Sequence, residues 1–268
     1  MSGNVIGNAV LNDSGIDNIE MRTDECGTGC SNQNVHQQES STCQEQEIST
    51  DGIDNGAYEL SPNLRGRVLI IDNFPVGGDQ ISNADRMKNM WLDLGYLPSS
   101  PFRNLTAAEL VKQVEKFSKN PYLKNDTSCI VVMIMSFGNE KFIKGSDGIP
   151  VSIQELTKKF DVANCRNMSG KPKLFFFEHC HEGDSLGEVD VDDLPVQGQA
   201  LLGNKSDALI VHQWSQQPDI EEGSTFIKDI DRVFREEADK QEIHTLLKKI
   251  GPGIQITDTL NRSLYLAL

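Results

Sequence analysis

The stretch Lys171-Pro172-Lys173-Leu174-Phe175-Phe176-Phe177-Glu178-His179-Cys180-His181-Glu182 decides how this chain reads. Its apolar quartet Leu174–Phe177 has no polar alternation, the pattern of a strand covered on both faces. Working outward, Val68-Leu69-Ile70-Ile71, Cys129–Met135 and Asp207–Val211 are runs of the same kind. Between them Met87, Met90, Trp91 and Leu94 recur at helical spacing and stop at Gly95. Thr106 followed three residues on by Glu109 is a capping-box signal for a second helix. Further helical patterns cover 152–160, 224–237 and 240–250, and Ser263-Leu264-Tyr265-Leu266 reads as a last strand. Strands alternating with helices imply an α/β fold with a mainly parallel sheet.

The charge is uneven. The chain of 268 residues carries a net charge of −15, which argues against nucleic acid or an anionic membrane as the main partner. Residues 1–60 hold 11 acidic residues and one basic residue, Arg22, a net −10 of that total. Rich in Asn, Gln, Ser, Thr and Gly, with Tyr58 as its one aromatic, the arm 1–63 cannot bury enough apolar surface to offset its ordering entropy and is expected to be disordered. Cys26, Cys30, His36 and Cys43 fit no common zinc spacing. A second acidic stretch, 183–200, is nearly free of periodicity and reads as an exposed linker between a larger part, 64–182, and a smaller one, 201–268. No run of apolar residues is long enough to span a membrane. The first residues show no basic or apolar signal segment, and the six scattered cysteines read as reduced thiols. The location expected is cytoplasmic.

The ordered segments resemble caspases from about Arg65 to the last residue. Gly66-Arg67-Val68-Leu69-Ile70-Ile71 resembles the family's opening strand. Met135-Ser136-Phe137-Gly138 stands where the family has a Leu-Ser-His-Gly-like run. Glu178-His179-Cys180-His181-Glu182 occupies the place of the Gln-Ala-Cys-Arg-Gly signature, and Phe137 lies 43 positions before Cys180, near the family's spacing of roughly 50. Asp207–Val211 and Gly223-Ser224-Thr225-Phe226-Ile227 resemble the small-subunit core. The resemblance implies a six-stranded sheet with helices on both faces and dimerisation through the last strand, placed here at 263–268.

It also implies a damaged catalytic centre. A cysteine peptidase needs a thiolate, a base, an oxyanion hole and a specificity pocket. Cys180 keeps the nucleophile position, and Gly138 and the Cys180 backbone match the oxyanion donors. The base position holds Phe137, which has no proton acceptor. Strand alternation would turn Cys180 away from His179 and His181, and two histidines are too few for a metal site. Caspases cut after Asp and surround that carboxylate with two arginines and the signature glutamine. Here Gly77 stands at the first arginine position, the segment 216–222 has no arginine, and the glutamine has become Glu178. Neither cofactor nor metal is expected.

The expected protein is therefore a catalytically inactive caspase homologue. It would regulate apoptotic or related signalling by binding an active caspase as a heterodimer, or an apoptotic adaptor or activator. The alternative is a cysteine peptidase of altered specificity using Cys180 with His179 or His181. Asp190 and Asp193 in the linker, and Asp51 in the arm, are candidate sites at which a caspase would cut this chain.

Overall fold

A computed structural model describes residues 56–75, 82–123, 127–180, 207–215, 223–251 and 253–267. Four parallel strands form its centre: β1 (Gly66–Asp72), β4 (Cys129–Phe137), β7 (Lys173–Cys180) and β8 (Ala208–Ser215). Beyond β1, two short strands, β2 (Leu97–Pro98) and β3 (Phe102–Arg103), both pair with it in parallel. Beyond β8 lies β9 (Ile254–Asp258), antiparallel to it. The order is β2-β1-β4-β7-β8-β9, seven strands in all when β3 is counted beside β2. A separate hairpin, β5 (Phe142–Lys144) with β6 (Pro150–Ser152), follows β4.

Side chains alternate across each strand, so the continuous apolar runs supply two cores. Val68 and Ile70 of β1, Val131 and Met133 of β4, and Leu174 and Phe176 of β7 face one side. They pack there on α1 (Asn83–Asp93), α4 (Thr225–Glu237) and α5 (Ile243–Lys249). Leu69, Ile71, Ile130, Val132, Phe175 and Phe177 face the other side, against α2 (Ala107–Ser118) and α3 (Ile153–Lys158). Phe176 sits between Trp91 of α1 and Phe234 of α4, ring centroids 6.4 and 6.2 Å away, and its burial ties both helices to the sheet. Helix starts follow the sequence. Ser82 caps α1 and Ser224 caps α4, and Thr106 with Glu109 closes the expected capping box on α2.

Two expectations are corrected. Ser263–Leu266 forms no strand; Ser263 makes one isolated bridge to Ala57, and Leu264 and Leu266 are fully buried pegs in the α1/α4/α5 core. The edge strand is β9, so an interface through a strand at 263–268 has no strand to use. The folded body also begins within the arm drawn from composition. Tyr58 is buried, and its hydroxyl donates to Asp207 Oδ1 at 2.7 Å. That contact and the backbone hydrogen bonds of Gly56 and Tyr58 with Ser263 anchor the chain there. The rest of the arm, residues 1–55, and the linker 183–200 lie outside the described residues.

His244 of α5 joins that helix to the edge strand, with Nδ1 2.7 Å from Glu242 Oε1 and Nε2 2.7 Å from Asp258 Oδ2. Burial lowers its pKa, but the two carboxylate hydrogen bonds outweigh burial and raise it above the ordinary value. A raised imidazole pKa contributes stability that is full below the unfolded value and lost as pH rises through the folded one. Because the ring is partly exposed, solvent screening limits the gain to under about 1 kcal/mol. His244→Gln is expected to lower the urea midpoint at pH 6 and to leave it unchanged at pH 9. An equal loss at both values would show that the ring's charge is not involved.

Candidate active site

The C-terminal ends of the parallel strands lie side by side, the position where open α/β sheets place their ligands. The register sets Phe137 of β4 opposite Cys180 of β7, and Cys180 opposite Ser215 of β8. Two residues back, Asp72, Met135, Glu178 and Gln213 form a second row. Alternation puts Asp72, Glu178 and Cys180 on the α1/α4 side, with His179 on the other.

Cys180 is fully buried. Burial pushes its thiol above the ordinary value; a hydrogen bond with the Ser215 hydroxyl opposes this, and the charge of Glu178 adds to it. Phe137, expected from the resemblance at the base position, packs edge-on against Phe74 with centroids 5.4 Å apart. An apolar ring pair, which offers no proton acceptor, thus stands at the strand position opposite Cys180. The Gly138 N–H, expected to face an oxyanion, donates to the Cys180 carbonyl at 3.1 Å and so continues the β4–β7 ladder. Gly138 has φ 154°, and a Cβ there would come within 2.3 Å of the Phe142 carbonyl oxygen, so the turn after Phe137 requires glycine.

No described histidine faces the thiol. His179 Nε2 lies 2.9 Å from His212 Nδ1 on the opposite side of the sheet, as alternation requires. The two rings stack on each other and on Phe177, and His212 also stacks on Trp214. Burial pushes His212 down to about 4, so it is neutral at neutral pH. His244 is held by Glu242 and Asp258. His181 lies outside the described residues. Among those residues no group of three or more His, Cys, Asp or Glu could hold a metal ion, and no helix is long and apolar enough to cross a membrane.

The floor beside Cys180 is acidic. Glu178 is buried, and burial raises its carboxyl to about 7; a hydrogen bond from Ser224 opposes this, and the charge of Asp72 adds to it. Asp72 is buried as well and is raised by burial to about 6, against its hydrogen bond from the Phe74 N–H and the charge of Arg103. Reading the sequence missed Asp72, Ser215, Ser224 and Phe74 as site residues. Asp72 carries a signal, an acid directly after the apolar run Val68–Ile71. Its approach to Glu178 depends on the register of three strands. Gly77, the segment 216–222, and Asp51, Asp190 and Asp193 lie outside the described residues.

Known proteins give the same architecture a family. The family described as the caspase domain matches residues 65–255, more than half of the chain. Caspase-2 of Gallus gallus is 32% identical over 162 residues, 57% of this chain and 37% of that protein. Caspase-14 of Homo sapiens is 24% identical over 192 residues, 68% of this chain and 78% of that protein. Caspase-3 of Oryctolagus cuniculus is 29% identical over 179 residues, 63% of this chain and 62% of that protein. The match thus spans about a third of the chicken protein's length and just under two thirds of the rabbit protein's. A parallel sheet flanked by helices, a cysteine at the end of β7, and a family match across both cores lead to one conclusion: the chain belongs to the caspase family of cysteine peptidases.

Proposed function

We propose that this chain is a catalytically silent caspase homologue that regulates caspase signalling by binding an active caspase or the platform that activates one. The observation that carries the reading is the pair Phe137–Cys180. An aromatic ring stands opposite a fully buried thiol, the strand histidines His179 and His212 lie on the other side of the sheet, and His244 of α5 is held by Glu242 and Asp258. Loss of a general base alone removes about 10²–10⁴ in rate, and a displaced ionisation of the thiol lowers the rate further. The two apolar cores are complete, so the chain keeps a folded surface while lacking the catalytic groups.

The surface suited to a caspase partner is β9. It is the last strand of the sheet, and among the described residues its outer edge pairs with no other strand. Such an edge offers a row of backbone donors and acceptors to a second chain. Asp190 and Asp193 of the acidic linker, and Asp51 of the arm, are the positions at which an active partner would cut. The protein is expected to be cytoplasmic, with neither nucleic acid nor membrane as a partner.

The test is a titration of the purified chain into an active caspase, following hydrolysis of an Asp-containing peptide, with the chain alone as control. A dose-dependent change in rate with no turnover by the chain alone is the expected result, and its sign names an inhibitor or an activator. Turnover by the chain alone would sink the reading in favour of a peptidase of altered specificity.

A further inference from the structure

The two ends of β9 are fixed by different means. At its start the short connection 250–253 ties it to α5. At its far end Asp258 stands opposite Leu209 of β8, and the Thr259 N–H donates to the Ala208 carbonyl at 2.8 Å. From there Asp258 reaches back to His244, in the first turn of α5. Its Oδ2 lies 2.7 Å from Nε2, while its Oδ1 accepts from the Leu260 N–H at 2.7 Å. The other ring nitrogen, Nδ1, lies 2.7 Å from Glu242 Oε1, and Glu242 Oε2 caps the helix by accepting the His244 N–H at 2.8 Å. Two carboxylates at this distance need two ring donors, and only the imidazolium has both. A neutral ring has one N–H. Glu242 is held in place by its cap bond and retains it, so the Nε2 lone pair then faces the Asp258 carboxylate and repels it. These two carboxylates are the charges that act on the ring. From α4, which packs on α5, Glu237 engages Lys249, and Asp229 lies toward Gly251 and pairs with Arg232. Lys248 belongs to the last turn of α5, and Arg262 of the C-terminal segment lies over the Tyr58 ring.

We propose that the charge of His244 operates β9 as a docking edge: the imidazolium pins the far end of the strand, the neutral ring releases it, and a partner is held more tightly when the ring is charged. This rests on the reading of β9 as the surface that meets a caspase partner and names the regulation of that surface. A strand added at a sheet edge takes its affinity from main-chain hydrogen bonds, which need the receiving strand to be held extended. β9 is 5 residues long, and among the described residues its outer edge pairs with no other strand, so the restraint at its far end counts. The two carboxylates hold the proton more firmly than an unfolded chain would. The clamp is therefore closed at pH 6 and opens as pH rises above the ordinary imidazole value of 6.5.

Amide hydrogen exchange of the full chain reads the clamp, each rate being corrected for the intrinsic effect of pH. Protection of the Thr259 N–H is expected to fall by up to about fivefold between pH 6 and pH 8.5, the size set by a partly exposed charge pair. His244→Gln and Asp258→Asn, each checked for a native circular dichroism spectrum, should show no such step. Equal protection at both pH values in the native protein, or the same step in either variant, would overturn the proposal. Docking is read by repeating the caspase titration with the native chain and His244→Gln at both pH values. The ratio of their half-effect concentrations cancels the caspase's own response to pH. The native chain is expected to act at up to about fivefold lower concentration than the variant at pH 6, and at the same concentration at pH 8.5. A ratio of one at both values would also overturn the proposal. If a caspase responds while Thr259 is indifferent to pH, only this inference falls. If Thr259 follows His244 while no caspase responds, the reading of β9 as the caspase-facing edge falls, and the docking role of His244 falls with it.

Discussion

Glu178→Gln is expected to raise the unfolding free energy by a few kcal/mol at pH 8 and to leave it almost unchanged at pH 4. The carboxyl sits near 7 when folded and at 4.5 when exposed. Below about pH 4 both states carry the proton and the group is neutral to stability. As pH rises from there, the unfolded chain releases its proton while the folded one retains it, which favours unfolding. Above about 7 both states are ionised, and the full cost of the buried charge is present. One pKa unit corresponds to about 1.36 kcal/mol, so the cost is on the order of 3 kcal/mol. Gln removes the ionisation and keeps an oxygen for the Ser224 hydroxyl. Asp72 contributes in the same direction, raised to about 6, and the two carboxyls titrate as a pair. Urea unfolding at pH 4, 6 and 8 measures the difference. A Glu178→Gln variant that is less stable at pH 8 would mean that a cation already meets the carboxylate and that burial does not dominate its titration.

The fold was legible where one strand carries its own evidence. Leu174–Phe177 and Cys129–Met135 are buried on both faces, so continuous apolarity identified them directly. Thr106 and Glu109 announced the start of α2 by local hydrogen bonding alone. The edge failed for the same reason in reverse. Ile254–Asp258 is short and half exposed, and its apolar residues alternate with polar ones, so its signal is weak. Leu264 and Leu266 gave a stronger period-two pattern, yet they are pegs from an irregular segment, because a burial pattern does not report which backbone carries it. The site divides in the same way. Phe137 and Cys180 are each marked by their own neighbours in sequence, and parallel β4–β7 pairing sets them opposite one another. Asp72 is more than 100 positions from Glu178, and only the stacking of β1, β4 and β7 brings its charge to bear. The register also showed the Gly138 N–H to be engaged by the Cys180 carbonyl, which no motif can disclose.

The second large effect concerns Cys180 itself. Its alkylation by iodoacetamide in the native protein at pH 7.5 is expected to be about 10³-fold or more slower than in the urea-unfolded chain, because reagent must wait for local opening. Two causes act together. The sulfur has no exposed surface, and its pKa is raised, first by burial; the thiolate is the reactive species. Peptide mapping separates Cys180 from Cys129 and Cys165, both buried and both raised by burial, which serve as internal references for a thiol protected by the core. Phe137→Ala removes the ring opposite Cys180 and should accelerate its alkylation selectively, leaving Cys129 and Cys165 protected. It should not produce peptidase activity, since exposure supplies no base. A working nucleophile would show the reverse order, reacting faster folded than unfolded because its surroundings favour the thiolate. Were Cys180 to alkylate faster in the native chain, the silent reading would fail and the search for an unconventional base would begin with His181. Slow alkylation, with acceleration confined to Cys180 in Phe137→Ala, fixes the ring in the base position as a plug over an inherited thiol.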